Sequence, residues 1–291
     1  MRTQVQKDTN NGQKCLRNLL MLTIYAPSDK PQSKCWEVFN GVQKTWPEDT
    51  KVLDNSATNT FSLDQYMFWG FTGNNISLVH QIQNKKLTYW FTDTPYFGRF
   101  DNKNLKPDNH YWRICKNNIH VPFIENLDNK RLEKFNIKIK DKRQKGEHIL
   151  VCPSSFGIHN YLKEINWLEN TIAKLKQHTD RPIVVRHKPR GRGTSGPSEA
   201  VTPIEKELEN AWACVTSCSI SAVESLCNGI PALCHPRSFA APVCDTDYAK
   251  IENPKYQDPT SWLNSLAYQQ FTPEEYSNGT AVSVLKDLKI L

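Results

Sequence analysis

The chain has 291 residues, 38% hydrophobic and 23% charged, with eight Trp and a net charge of +7. That excludes a disordered chain and suits two domains of about 100–150 residues, each with its own core. No apolar run reaches the roughly 20 residues that span a bilayer. The longest, at 19–26, is preceded by Lys7, Asp8, Lys14 and Arg17 and followed by no small-residue cleavage site, so a cytoplasmic protein with no membrane partner is expected. The positive balance suits an anionic partner such as nucleotide phosphates or nucleic acid. The nine Cys are scattered, and Cys214 and Cys218 lack a second pair at zinc spacing, so they read as reduced core thiols.

In chain order, residues 1–14 form a polar tail and 19–25 a first strand. A helix carrying Trp36, Val38 and Phe39 follows. Strands are predicted at 51–53, 66–71 and 87–92, with a helix over 76–83 between the last two. Residues 128–147 hold Lys130, Arg131, Lys134, Lys138, Lys140, Lys142, Arg143 and Lys145. This basic linker is either a solvated face or a contact for nucleic acid phosphates, with Lys140 and Arg143 as candidates. Strands then recur at 148–152, 182–186, 213–216 and 231–234, with helices over 166–178, 203–211 and 219–228, the last closed by Gly229. The alternation predicts two successive Rossmann-like α/β domains, over 15–127 and 148–271, facing each other across a cleft. Residues 272–291 are expected to form a C-terminal helix placed to cross back to the first domain.

Three segments carry candidate chemistry. At 216–231 a strand runs through Ser217, Ser219 and Ser221 into a helix with Glu224 one turn in, then Gly229-Ile230-Pro231. Free backbone N–H groups there suit phosphate, and a carboxylate one turn in suits a ribose diol. At 182–193 a buried strand runs into Arg186, Lys188, Arg190 and Arg192, with Gly191 and Gly193. Cations at a strand's carboxyl end lie on the ligand side of an α/β sheet, and Arg offers a planar fork for phosphate oxygens. Asp93, at the end of an apolar strand, is the candidate general base, with Asp101 as fallback. Tyr96, Arg99 and Arg113 lie near it on the expected acceptor side. Arg113 is either a phosphate contact or a packed strand residue. Arg237, in His235-Pro236-Arg237, borders the same cleft. Asp245-Thr246-Asp247 reads as a capping cluster, so no metal site is expected.

The 216–231 run resembles the nucleotide-binding motif of GT-B glycosyltransferases: a small-residue turn, a Glu one helical turn on, then Gly-x-Pro. The resemblance implies that Glu224 binds the ribose of a nucleotide sugar. It also implies that Ser217, Ser219 and Ser221 line the phosphate site, with Arg186 and Lys188 on the diphosphate. Over 148–271 the order of segments is similar to glycosyltransferase-like proteins of tailed bacteriophages, some of which glycosylate hydroxymethylated pyrimidines of DNA. This implies an inverting, metal-independent transfer with no cofactor beyond a UDP-sugar co-substrate, UDP-glucose foremost, onto double-stranded DNA. A surface-polysaccharide glycosyltransferase, a non-catalytic nucleotide- or DNA-binding protein and a sugar-nucleotide epimerase are the competing readings.

Overall fold

A computed structural model describes residues 21–27, 30, 33–56, 61–62, 64–71, 73–98, 110–187 and 202–291. Strand β1 (Leu22–Ala26) sends alternate side chains to two layers. Leu22, Ile24 and Ala26 join one apolar cluster and Tyr25 joins another, as the two-residue period of a strand requires. Helix α1 (Cys35–Thr45) buries Cys35, Val38, Phe39 and Val42, one helical stripe. Strands β2 (Thr50–Asp54), β3 (Gln65–Trp69) and β4 (Tyr89–Asp93) run parallel with β1, and helix α2 (Asn75–Asn84) joins β3 to β4.

Two further strands complete this sheet. Strand β5 (Trp112–Lys116) is antiparallel to β4, and β10 (Gln270–Phe271) is antiparallel to β5. The six-stranded order is β10-β5-β4-β3-β1-β2. Arg113 is thus a buried strand residue, directly opposite Asp93 across the ladder. Gln270 and Phe271, assigned by the sequence pattern to the second half, pair with Arg113 and Trp112 of the first.

The second sheet is all parallel, in the order β7-β6-β8-β9. Its chain runs β6 (His148–Cys152), α4 (Phe156–Leu162), α5 (Trp167–Leu175), β7 (Ile183–Val185), α6 (Ile204–Leu208), β8 (Ala211–Thr216), α7 (Ser221–Cys227), β9 (Ala232–Cys234) and α8 (Thr260–Ala267). The central strands are buried on both faces, which explains their unbroken apolar runs. The pattern predicts a helix over 203–211, but α6 stops at Leu208 because Ala211 is already paired with His148. Helix α7 ends in a Schellman motif: Ile230 N–H bonds to the Ser225 carbonyl and Gly229 N–H to Leu226. Gly229 has φ +76°, and a Cβ there would collide with the Asp141 carbonyl. Among the described residues, no helix is long and apolar enough to cross a membrane.

The basic segment 128–147 is anchored at several points, while most of its lysines stay exposed. Helix α3 (Lys130–Glu133) packs on α8. Farther on, Lys140 N–H bonds to the Cys227 carbonyl and Arg143 N–H to Gly229. Arg131, 7% exposed, donates to both Glu275 oxygens at 2.9 Å and to the carbonyls of Ala267 and Gln270. This one guanidinium ties α3, the end of α8, β10 and helix α9 (Pro273–Ser277) together. Helix α9 opens with a Thr272–Glu275 capping box. It packs against α1, where Gly41 allows close approach to Tyr276, and Thr45 Oγ1 donates to the Tyr276 carbonyl at 2.8 Å. Helix α10 (Thr280–Asp287) follows on the same face.

Replacing Arg131 with Met is expected to destabilise the protein by about 3 kcal/mol, since it strands a largely buried carboxylate and two carbonyls. The urea midpoint measures this. Burial alone would raise the Glu275 carboxyl, but Arg131 outweighs it and the net pKa lies below the usual 4.5. The folded pKa is depressed, so this stabilisation is present above about pH 4.5 and is lost as pH falls further. Glu275→Gln is expected to flatten that part of the pH–stability curve, and an unchanged curve would count against the pair.

Candidate functional site

Both sheets turn carboxyl ends of parallel strands toward one cavity of about 600 Å³. The first sheet contributes Trp69, Gly70 and Phe71 at the end of β3, Asp93 and Thr94 at the end of β4, and Arg113 of β5. The second contributes Cys152 to Ile158 after β6, Arg186 and His187 after β7, and Cys218 to Ser221 with Glu224 after β8. Ligand sites of open α/β sheets form outside such strand ends. A larger concavity, about 1040 Å³, lies on the far side of α4 around Asn170, Lys174 and the Glu164–His235 pair. It borders none of the strand ends of the first sheet.

On the first wall, Asp93 and Arg113 form an ion pair at 3.1 Å. The other Arg113 nitrogen donates to the Thr94 carbonyl at 3.0 Å, and Asp93 Oδ1 accepts the Thr94 N–H at 2.7 Å. The Arg113 side chain is 5% exposed and that of Asp93 25%, so the carboxylate keeps a face toward the cavity while its orientation is fixed. Tyr96 is buried behind this pair, with the Arg113 guanidinium 4.9 Å from its ring centroid. It is a packing residue, with its phenol pushed up by burial, and not a surface contact.

On the second wall the Ser residues divide their roles. Ser217 is fully buried. Its Oγ accepts the Ser154 N–H at 3.2 Å and pairs with His159 Nε2 at 2.9 Å, holding the turns after β6 and β8 together. Burial pulls His159 below its usual pKa, so the ring stays neutral. Ser154 Oγ accepts the Cys218 N–H at 3.0 Å, reinforcing the same junction. Ser219, Ser221 and Glu224 line the cavity, and the Ser221 hydroxyl is buried with no hydrogen bond among the described residues.

The cations are less available than their sequence pattern implies. Arg186 lines the cavity, but Nε lies 3.3 Å from Glu207 and another nitrogen donates to the Thr202 carbonyl at 3.0 Å. Arg237 does not line the cavity; its guanidinium lies 5.0 Å over the Tyr161 ring. Lys140 Nζ donates to Asn228 Oδ1 at 2.8 Å, and Arg143 donates to the carbonyls of Leu208 and Glu209, so both fasten the 140–143 segment to the second half. Lys188, Arg190, Arg192, Arg99 and Asp101 lie outside the described residues. Asp245 is buried and accepts the Lys255 N–H, and Asp247 caps the 3₁₀ turn at Ala249. Among the described residues, no group of three or more His, Cys, Asp and Glu is disposed to hold a metal.

Sequence reasoning did not single out His120, Phe71 or Ser154. His120 sits before Val121-Pro122 in an irregular segment with no motif around it, and only the packing of the two halves brings it to the cavity.

No known protein family matches the sequence, and no characterised protein matches it. Among solved structures, the chain is similar to the KpsC beta Kdo 2,7 transferase of Thermosulfurimonas dismutans, at 12% identity over 91% of this chain and 99% of that one, with a TM-score of 0.43. It is also similar to the KpsC beta Kdo 2,4 transferase of that organism, at 11% identity over 92% and 98%, with a TM-score of 0.47. Likeness at this level is too low to carry function across.

Ser217→Ala is expected to cost about 1–3 kcal/mol in the denaturation midpoint, because it leaves the Ser154 N–H and His159 unpaired in the interior. Ser219→Ala, whose Oγ accepts only a 3.3 Å bond from Ser221 N–H at a half-buried position, is expected to cost clearly less. Equal losses would contradict the division of roles.

Proposed function

We propose that the chain is a nucleotide-sugar-dependent glycosyltransferase of GT-B type, with the two sheets as the cores of two facing domains. The observation that carries the reading is the shared cavity. A carboxylate on one wall, Asp93, faces a wall built from the Ser219–Ser221 turn and Glu224. Transfer between two substrates needs two such surfaces: one to take a proton from an acceptor hydroxyl, one to hold a nucleoside diphosphate leaving group.

In this reading Glu224 binds the ribose and the 218–221 turn meets the phosphates. Asp93 removes the acceptor proton as the acceptor oxygen attacks the anomeric carbon. The bond from that carbon to the phosphate oxygen breaks, and the electron pair leaves with the nucleoside diphosphate. The Arg113 bonds hold the carboxylate where a hydroxyl approaches, which favours one attack geometry. One displacement of this kind inverts the anomeric centre. Preorganised donors at the phosphate side stabilise the departing charge without a metal.

For the acceptor, the resemblance over 148–271 favours hydroxymethylated pyrimidines of DNA, and the net charge of +7 suits an anionic acceptor without selecting this one. Lys140 and Arg143 each bond within the second half, and Lys140 stays exposed to solvent beside them.

The test is incubation with a panel of nucleotide sugars, with hydroxymethylated DNA and with oligosaccharide acceptors, followed by mass analysis of the products. Sugar-bearing nucleosides support the full reading, and product on saccharides alone keeps the transferase and discards the DNA acceptor. No transfer with any pair sinks it. Asp93→Asn is expected to lower kcat by about 10²–10⁴ while leaving donor binding in place. Full activity in EDTA is expected.

A further inference from the structure

His120 has no part in the reaction as described, yet it lines the cavity and is 3% exposed. Its Nδ1 lies 3.5 Å from Tyr96 Oη. That oxygen also accepts the Val121 N–H at 3.1 Å, which leaves its own hydrogen free to point at Nδ1. In the tautomer in which the phenol donates to Nδ1, the ring hydrogen sits on Nε2. Nε2 is buried and makes no hydrogen bond among the described residues. Buried donors in native proteins are nearly always paired. A second buried polar atom, Ser221 Oγ, is also unpaired, and it belongs to the opposite wall. The Cys218–Ser219 turn lies on that same wall.

Burial, then Arg113, then Arg237 pull the His120 pKa well below 6.5, so the ring is neutral in the free protein. The groups facing it are Arg113 of β5, held by Asp93 of β4, Tyr96 of the following loop, and Arg237. Arg113 and Arg237 also act on the Cys218 thiol, which burial first pushes up to about 12. Arg113, ion-paired with Asp93, and Arg237, which lies outside the cavity lining, thus act on both the imidazole and the 218–219 turn.

We propose that His120 is an anion contact of this cavity, donating through Nε2 to a phosphate oxygen of the nucleotide from the wall opposite Ser221. The proposal rests on the cavity being a nucleotide-sugar site. A bound phosphate offsets the two guanidinium charges and favours the imidazolium, so binding takes up a proton. Affinity for the nucleotide therefore rises as pH falls toward 6.

The experiment is calorimetric titration of the full chain with UDP and with inorganic pyrophosphate, at about pH 6 and about pH 8, in buffers of different ionisation enthalpy. Wild type is compared with His120→Ala and His120→Asn, so that titration of the phosphates themselves cancels. His120→Ala is expected to weaken both ligands roughly tenfold or more. His120→Asn keeps an N–H donor without a titrating ring; it is expected to regain part of the affinity and none of the extra proton uptake. Wild-type affinity or wild-type uptake in folded His120→Asn overturns the proposal. Where neither variant folds, assigned ¹⁵N-histidine spectra of wild type decide: a rise of the His120 midpoint on UDP addition supports the contact, and no movement of it, or movement of His187 alone, overturns it. Failure of UDP, CDP and GDP all to bind wild type removes the nucleotide reading itself, and this contact with it.

Discussion

The burial of Arg113 sets the terms for the first wall of the cavity. A guanidinium taken out of water is costly unless its hydrogens are met; here Asp93 and the Thr94 carbonyl take up two of its nitrogens, the ring of Tyr96 lies against it, and Nε makes no hydrogen bond among the described residues. Each partner comes from the end of β4 or the turn beyond it. The antiparallel register that places residue 113 opposite residue 93 is therefore also what aims a carboxylate at the cavity. Gln270 adds a second constraint: it pairs with Arg113 in the ladder, while its side chain accepts the Tyr96 N–H and donates to the Phe97 carbonyl. The turn after β4 is held from both sides.

The second wall is held differently. Its side chains bond mostly to backbone within the wall, through Ser154, Thr216 and Ser217. The contact between walls is largely apolar. Phe71 of the first half stacks on Tyr161 of α4 and lies tilted against Phe91, in one cluster that also contains Cys218. Gly157 lies against Phe71, where a side chain would crowd the ring. Such a seam, fastened at its edge by the 2.9 Å bond from Gln83 to the Tyr161 hydroxyl, holds the strand ends close while polar groups facing the cavity remain for a ligand.

The α/β alternation was legible because fully buried parallel strands such as Ile149–Val151 leave unbroken apolar runs, and because a helix stripe such as Cys35, Val38, Phe39 and Val42 leaves a clear period. Strand β5 was harder to read, because Arg113 interrupts it and its neutralising partner lies 20 residues earlier in sequence. The two-residue strand β10 is too short for any periodicity. At the site, the Ser-rich turn and Glu224 were legible as a motif, but which serine faces inward depends on a half-turn of backbone and on His159, distant in sequence. The basic stretch 130–145 shows the reverse problem. Its charge is plain in the sequence, while the carbonyls and carboxylate that take up Arg131, Lys140 and Arg143 appear only on folding.

The return of the chain through β10, α9 and α10 has a consequence for the order in which the molecule is assembled. As the polypeptide leaves the ribosome, α1 emerges early, but the surface that covers it, around Tyr276, Ala281 and Leu285, emerges more than two hundred residues later. Until then the apolar stripe of α1 and one edge of the first sheet have no partner. The second sheet draws its strands from a single contiguous stretch, 148–234, and is free to form first. The half that is made first is therefore the half that finishes last, and during synthesis it depends on staying clear of neighbouring nascent chains.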